Sequence, residues 1–312
     1  MENKNQEYLN FLKTRISPHV KPEVAQMMLD YALSPEEHAS VTRDIEEYCF
    51  SGKTPVEFPV AYLVIGQTGS GKSNLTALVK NSDANVVVID SDAFKAFNPK
   101  KNEIIEKHLS LYGYLTGLDA YLHRDEIYTK ALTEKYNILI EIAPSTKELL
   151  FNVNFEELKG YGYTVNANVM AACLENSLLS VHERYEGQIE ANMEAPKLTD
   201  LKRAIDSYDA MPMILKQLIE MQDVETLLFQ RSPYVAGDSE LKQIELPKFV
   251  SSNKETMLDD YYAACEADRL DMQDSIDERI ELVEHAMDKR KAPADQRAQF
   301  SKVVERVKQK SK

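Results

Sequence analysis

Residues 66–73 read Gly-Gln-Thr-Gly-Ser-Gly-Lys-Ser, and they stand directly between an apolar run, Val60-Ala61-Tyr62-Leu63-Val64-Ile65, and a helical pattern from Asn74 to Val79. Three of the ten glycines in the chain fall between Gly66 and Gly71. Glycine there permits a tight loop whose successive backbone N–H groups turn inward on an anion, and the helix that follows adds the positive end of its dipole. In this G-x-x-x-x-G-K-S pattern Lys72 is expected to reach the β- and γ-phosphates of a nucleotide, and Ser73 to hold Mg²⁺ through its hydroxyl. Placement after a strand and before a helix is the context the pattern requires. It implies an α/β domain whose phosphate cradle is built from Gly66, Gln67, Thr68, Gly69, Ser70, Gly71, Lys72 and Ser73.

The surrounding pattern agrees. Short apolar runs at Val86–Ile89, Ile138–Ile140, Val165–Met170 and Val224–Phe229 alternate with longer helical segments, as in a parallel sheet covered by helices on both faces. The expected organisation is a helical N-terminal segment (1–58), an α/β domain carrying the P-loop (59–235) and a helical C-terminal extension (236–312). Within the first segment Ser34-Pro35-Glu36-Glu37 predicts a capped helix running to about Cys49, with Ser34 and Glu37 forming a capping box. Within the last, Met272, Ile276, Ile280, Val283 and Met287 form an apolar stripe, and Pro293 divides it from a helix carrying Phe300, Val303, Val304 and Val307.

Composition removes several classes of function. The 51 acidic residues outnumber the 37 Lys and Arg, for a formal charge of −14, which argues against nucleic acid as a general partner. The Lys-rich end, from Lys289 to Lys312, reads as a solvated helix terminus. Three dispersed cysteines, Cys49, Cys173 and Cys265, suggest neither a disulfide framework nor a zinc knuckle, and the six histidines show no ligand spacing. No apolar run has membrane-spanning length, and the N-terminus lacks the apolar core of a signal peptide, so a cytoplasmic location is expected. The only metal expected is the Mg²⁺ that accompanies ATP.

The second strand ends Val88-Ile89-Asp90-Ser91-Asp92, with Lys95 three residues on. Ligands of open α/β sheets bind at the carboxyl ends of strands, so these aspartates are candidates to accept a proton from an acceptor hydroxyl. Asp90 serves equally well as a turn or helix cap. Glu141, at the end of the third strand, reads as a crevice carboxylate or as a cap. By itself, Arg184 in His182-Glu183-Arg184-Tyr185-Glu186 reads as half of a surface ion pair with Glu183 or Glu186.

Five ordered segments then carry a resemblance over about Val60 to Arg231. They are the phosphate loop; Val88-Ile89-Asp90-x-Asp92-x-Phe94-Lys95 followed by Pro99; Tyr136-Asn137-Ile138-Leu139-Ile140-Glu141; Gly162-Tyr163 before a strand ending Met170-Ala171; and Glu183-Arg184-Tyr185-Glu186. Together they resemble the zeta toxin family of bacterial P-loop kinases. The resemblance implies ATP-dependent phosphorylation of a hydroxyl of UDP-N-acetylglucosamine, which blocks cell-wall synthesis, and restraint by an antitoxin. It assigns Asp92 as catalytic base, Lys72 and Ser73 to ATP and Mg²⁺, and Arg184 to the transferring phosphate. Glu141 goes to the acceptor side with Lys95, and so does a second carboxylate at Asp125 or Glu126. A second phosphate-clamping arginine falls on Lys197, with Arg203 nearby. Lysine there keeps the charge and loses the bidentate fork.

Two further departures affect the acceptor half: Ile142-Ala143 stands where the family has Gly-Thr, and Asn98-Pro99 where it has His-Pro. A kinase of the same lineage acting on a nucleotide, a dinucleotide cofactor or an antibiotic is the alternative enzyme. A non-catalytic ATP-binding regulatory protein is the alternative of another class. The N-terminal helices are expected to act as scaffold, as a restraint in cis, or as the face on which an antitoxin docks.

Overall fold

A computed structural model describes residues 2–145, 153–191, 193, 196–232 and 246–310. In chain order its elements are α1 (Glu2–Arg15), α2 (Pro22–Tyr31), α3 (Pro35–Phe50), β1 (Val60–Ile65), α4 (Lys72–Ser82), β2 (Val87–Ile89) and α5 (Ser91–Phe94). These are followed by α6 (Lys101–His108), α7 (Tyr112–Leu115), α8 (Gly117–Glu134), β3 (Ile138–Ile142), α9 (Phe155–Gly160), β4 (Thr164–Ala171), α10 (Leu174–Glu190) and α11 (Leu201–Glu220). Last come β5 (Val224–Gln230), β6 (Lys248–Ser251), α12 (Met257–Met272), α13 (Ile276–Lys289) and α14 (Ala294–Lys310). The expected boundary at residue 235 lies outside the described residues. The chain divides into two compact units, residues 1–57 with 85–138, and residues 58–84 with 139–312.

In the first unit α3 starts as its sequence dictates. The Ser34 hydroxyl accepts from the Glu37 N–H while the Glu37 carboxylate accepts from the Ser34 N–H, and Pro35 occupies the first turn. His38, Val41, Ile45 and Cys49 recur at helical spacing on its buried face, which packs on α8. A core of Leu12, Met28, Ala32, Ile104, Leu115, Leu118 and Leu122 joins α1 and α2 to α6, α7 and α8. The N-terminal helices are thereby built into the same hydrophobic cluster as residues 101–134.

In the second unit the strands run in the order β3-β1-β4-β5-β6. β1 pairs parallel with β4, Val60 opposite Thr164 through Ile65 opposite Val169, and β4 pairs parallel with β5. Non-sequential parallel neighbours require crossover connections, and the intervening helices supply them. β6 runs antiparallel to β5, with a register irregularity at Leu228/Phe229. No strand was expected at residues 248–251. Lys248 and Phe249 are exposed and Val250 and Ser251 only half-buried, so this short edge strand lacks the continuous apolar run that marks the central ones. The Met272–Met287 stripe lies in a second core with Leu174, Leu178, Leu179, Phe300, Val303 and Val307, which binds α13 and α14 to α10. A 3₁₀ turn at Gln273–Ser275 separates α12 from α13 within that stripe. Among the described residues no helix is long and apolar enough to cross a membrane.

Candidate active site

The loop between β1 and α4 takes its shape from two left-handed glycines. Gly69 has φ +83° and Gly71, which caps α4, has φ +92°. A Cβ on Gly69 would stand 2.1 Å from the carbonyl oxygen of Ser177 on α10, so the loop can lie against that helix only with glycine here. The buried Gln67 side chain fastens the same contact, its Nε2 donating to Ala172 O at 2.7 Å and to Ser177 Oγ at 3.0 Å. The Ser70 N–H donates to Gln67 O, and the buried Ser70 hydroxyl has no hydrogen-bond partner among the described residues.

Lys72, the first residue of α4, folds back so that Nζ donates to Gln67 O at 3.0 Å. Loss of water lowers its pKa to about 8; Glu141 opposes the shift, while Arg184 and Arg203 add to it. The Ser73 side chain is exposed at the first turn of α4. A glycine-shaped cradle, a helix N-terminus, a folded-back lysine, an exposed hydroxyl and an orphaned serine suit a nucleotide phosphate chain with Mg²⁺.

The charges that act on Lys72 locate the other predicted groups of this unit. Glu141, exposed on β3, accepts a hydrogen bond from Thr76 Oγ1 of α4. Arg184 on α10 and Arg203 on α11 are exposed cations. The neighbouring carboxylates Glu183 and Glu186 bind Arg279 and Arg290. The charge of Arg203, one of the two candidate second clamps, acts on Lys72. Lys197 is exposed, and its backbone N–H donates to Gln188 Oε1 at 2.9 Å. Arg231, just past β5, was not anticipated; its Nη1 donates to Gly69 O at 3.1 Å. It belongs to no motif spacing, and only the pairing of β5 beside β4 brings it to the loop.

The first unit holds the remaining residues. The Asp90 side chain accepts from the Asp92 N–H at 2.8 Å as the N-cap of α5, which is the cap reading of that aspartate. Asp92 itself is exposed, and the buried Lys95 brings Nζ to 2.5 Å from its Oδ1. Asp125 pairs with Arg15 of α1 and with Arg124. Glu126 lies 3.0 Å from His38 Nε2 and 2.8 Å from the Thr42 hydroxyl, both on α3. Both carboxylates proposed for the acceptor are thus engaged by the N-terminal helices.

Around Glu126 is a polar cluster that the sequence did not suggest. Burial alone would lower the pKa of His38, but Asp119 and Glu126 more than offset it and raise the value to about 9. Burial and the neighbouring His38 lower His123 to about 4. His38, His123 and Glu126 offer metal-ligand atoms within 4.8 Å of one another. The two rings stack at 4.1 Å with 11° between their planes, so their in-plane lone pairs run side by side and do not converge on one ion. The arrangement is that of a hydrogen-bonded tie between α3 and α8.

The family model described as Zeta toxin matches residues 46–236, well over half of the chain. Toxin zeta of Streptococcus pyogenes is 33% identical over 143 residues, 45% of this chain and 49% of the relative. Toxin PezT of Streptococcus pneumoniae serotype 4 is 30% identical over 158 residues, 50% of this chain and 61% of the relative. The chain thus spans about half the length of the curated relatives it matches. Among solved structures, one from the PezAT chromosomal toxin-antitoxin system of Streptococcus pneumoniae superposes with a TM-score of 0.62 at 21% identity, covering 83% of this chain and 98% of that one. The AvrRxo1-ORF1:-ORF2 structure with ATP gives 0.50 at 14% identity, covering 80% and 78%. At these identities the structural likeness concerns the fold, a mostly parallel sheet flanked by helices.

Proposed function

Since the chain belongs to the zeta toxin family, we propose that it is an ATP-dependent kinase that phosphorylates a hydroxyl of a small molecule, with UDP-N-acetylglucosamine as the first acceptor to test. The observation that carries the reading is the loop Gly66–Ser73, shaped by Gly69 and Gly71, whose Lys72 feels the charges of Arg184 and Arg203. In this reading the loop N–H groups and Lys72 hold the phosphates of ATP. The exposed Ser73 hydroxyl would hold Mg²⁺, which would supply charge neutralisation to the phosphates. Asp92, oriented by Lys95, accepts the proton of the acceptor hydroxyl as its oxygen bonds to the γ-phosphorus. The bond from that phosphorus to the bridging oxygen breaks, and ADP leaves. Arg184, with Arg203 or Lys197, stabilises the charge on the transferring group.

A second reading keeps the chemistry and changes the acceptor. It is favoured by Ile142-Ala143 in place of Gly-Thr, and by the engagement of Asp125 and Glu126 with Arg15, His38 and Thr42. On either reading the protein acts in the bacterial cytoplasm; on the first, phosphorylated UDP-N-acetylglucosamine would block wall synthesis. An antitoxin, or the N-terminal helices in cis, would restrain it. The PezAT relative comes from a toxin-antitoxin system, which supports such a partner.

The test incubates protein, MgATP and a panel of acceptors, read by an 80 Da mass gain, the mass of HPO₃. Phosphorylated UDP-N-acetylglucosamine, lost in Asp92→Asn, is the expected result. Product from another acceptor would replace the first reading by the second. Full turnover in Asp92→Asn would remove the base, and MgADP binding with no transfer to any acceptor would remove the enzyme.

A further inference from the structure

Arg231 sits behind the phosphate loop, and its chemistry is not explained by the sheet that carries it. Its Nη1 donates to the Gly69 carbonyl at 3.1 Å, and its Cγ lies 3.9 Å from where a Cβ on Gly71 would stand. Its backbone N–H donates to Ala171 O at 3.3 Å, which fixes the residue at the carboxyl end of β4. The peptide plane between Gly69 and Ser70 is therefore held at both edges. Its carbonyl accepts from Arg231, and its N–H donates to Gln67 O, the same oxygen that receives Lys72 Nζ. Negative charge acts on the guanidinium from the buried Asp268 of α12 and from Glu183 of α10. Asp268 also accepts from the Cys173 N–H and from Asn176 Nδ2, both at 2.7 Å, at the start of α10.

We propose that Arg231 is a positioning residue for nucleotide phosphates: it sets the conformation of the loop through Gly69 and places a fixed positive charge behind the cradle. This rests on the nucleotide-binding reading above. A loop binds phosphate well when its N–H groups are already arranged, because no reorganisation then opposes binding. A hydrogen bond from a charged donor is also among the stronger ones available to a backbone carbonyl. Without Arg231 the Gly69 carbonyl loses its side-chain donor, the loop samples other shapes, and every phosphate ligand binds less well.

The experiment measures MgADP and pyrophosphate binding by isothermal titration with the full chain, so that the identity of the acceptor is irrelevant. Arg231→Lys keeps the charge, Arg231→Gln keeps a neutral donor, and Arg231→Met keeps neither. The expected loss in MgADP affinity is about tenfold or more for Met, smaller for Gln and smallest for Lys. Unliganded thermal midpoints are recorded for each variant. Affinity unchanged at 25 °C, with only the midpoint lowered, would make the role purely structural and overturn the inference. If the Met variant does not fold, unchanged affinity in Arg231→Gln overturns it equally. Lys72→Met separates the two layers of the argument. If that variant also binds MgADP normally, the phosphate-loop reading itself fails. If it loses affinity while the Arg231 variants do not, only the assignment of Arg231 fails.

Discussion

Replacing Gly69 by alanine tests whether the loop shape is imposed by α10. The added Cβ would lie 2.1 Å from Ser177 O, 2.9 Å from Ser177 C and 3.1 Å from Val181 Cγ2, at a backbone φ of +83°. Ordinary contact requires a movement of more than an ångström by either the helix or the loop. The helix is held by Asp268 at its N-terminus and by Arg279 on Glu183, so the loop should yield. The left-handed conformation costs about 1–2 kcal/mol and the overpacking about 1–3 kcal/mol, for a total of about 2–5 kcal/mol. Gly71→Ala is the internal control. Its φ is +92°, but its nearest neighbour is a flexible side-chain carbon at 3.9 Å, so only the backbone term of about 1–2 kcal/mol applies. Urea unfolding of both variants should place Gly69→Ala about 1–3 kcal/mol below Gly71→Ala. Its MgADP affinity should also fall at temperatures where both are folded. Equal stabilities, within about 0.5 kcal/mol, would show that the loop adapts without cost and would refute the argument.

Two other perturbations follow from the same network. Phosphate favours charged Lys72, whose pKa in the free protein is about 8 because of desolvation first and the nearby arginines second. MgADP affinity should therefore be flat below pH 8 and weaken by up to about tenfold per unit above it, until the pKa of the bound form is reached. Calorimetric titrations from pH 7 to 9.5 that stay flat throughout would exclude this. For folding the sign is opposite: an unfolded lysine keeps its proton to about pH 10.4, so this group makes stability rise with pH between 8 and that value. Arg279 is wholly buried, with Nε and Nη2 donating to Glu183 at 2.6 and 2.9 Å and Nη1 to Asn176 Oδ1 at 2.7 Å. Arg279→Met should destabilise by about 3–5 kcal/mol in urea unfolding, and adding Glu183→Gln should recover part of the loss.

What could be read without coordinates was local. The strand Val60–Ile65, the glycine loop, the helix after it and the Ser34–Glu37 capping box depend on residues within a few positions of one another, and each is found where its sequence pattern lies. The apolar stripe from Met272 to Met287 was equally legible, because a helix must bury such a face whatever it packs against. The roles of charged residues were less so. Asp90 and Asp92 stand two apart on one strand end, and only the short helix α5 makes the first a cap and leaves the second exposed. Asp125 and Glu126 look like free carboxylates until α1 and α3 bring Arg15, His38 and Thr42 to them.

Arg231 and Arg279 carry no motif at all, and their partners lie 162 and 96 to 103 positions away. The sequence by itself determined that this chain makes a phosphate loop on a largely parallel sheet, because backbone conformation and hydrophobic period are properties of neighbouring residues. Only the tertiary structure decided which charges stand behind that loop and which carboxylates are already engaged. Electrostatic partnership depends on distance in space, and in a crossover topology that distance is set by strand order rather than by position along the chain.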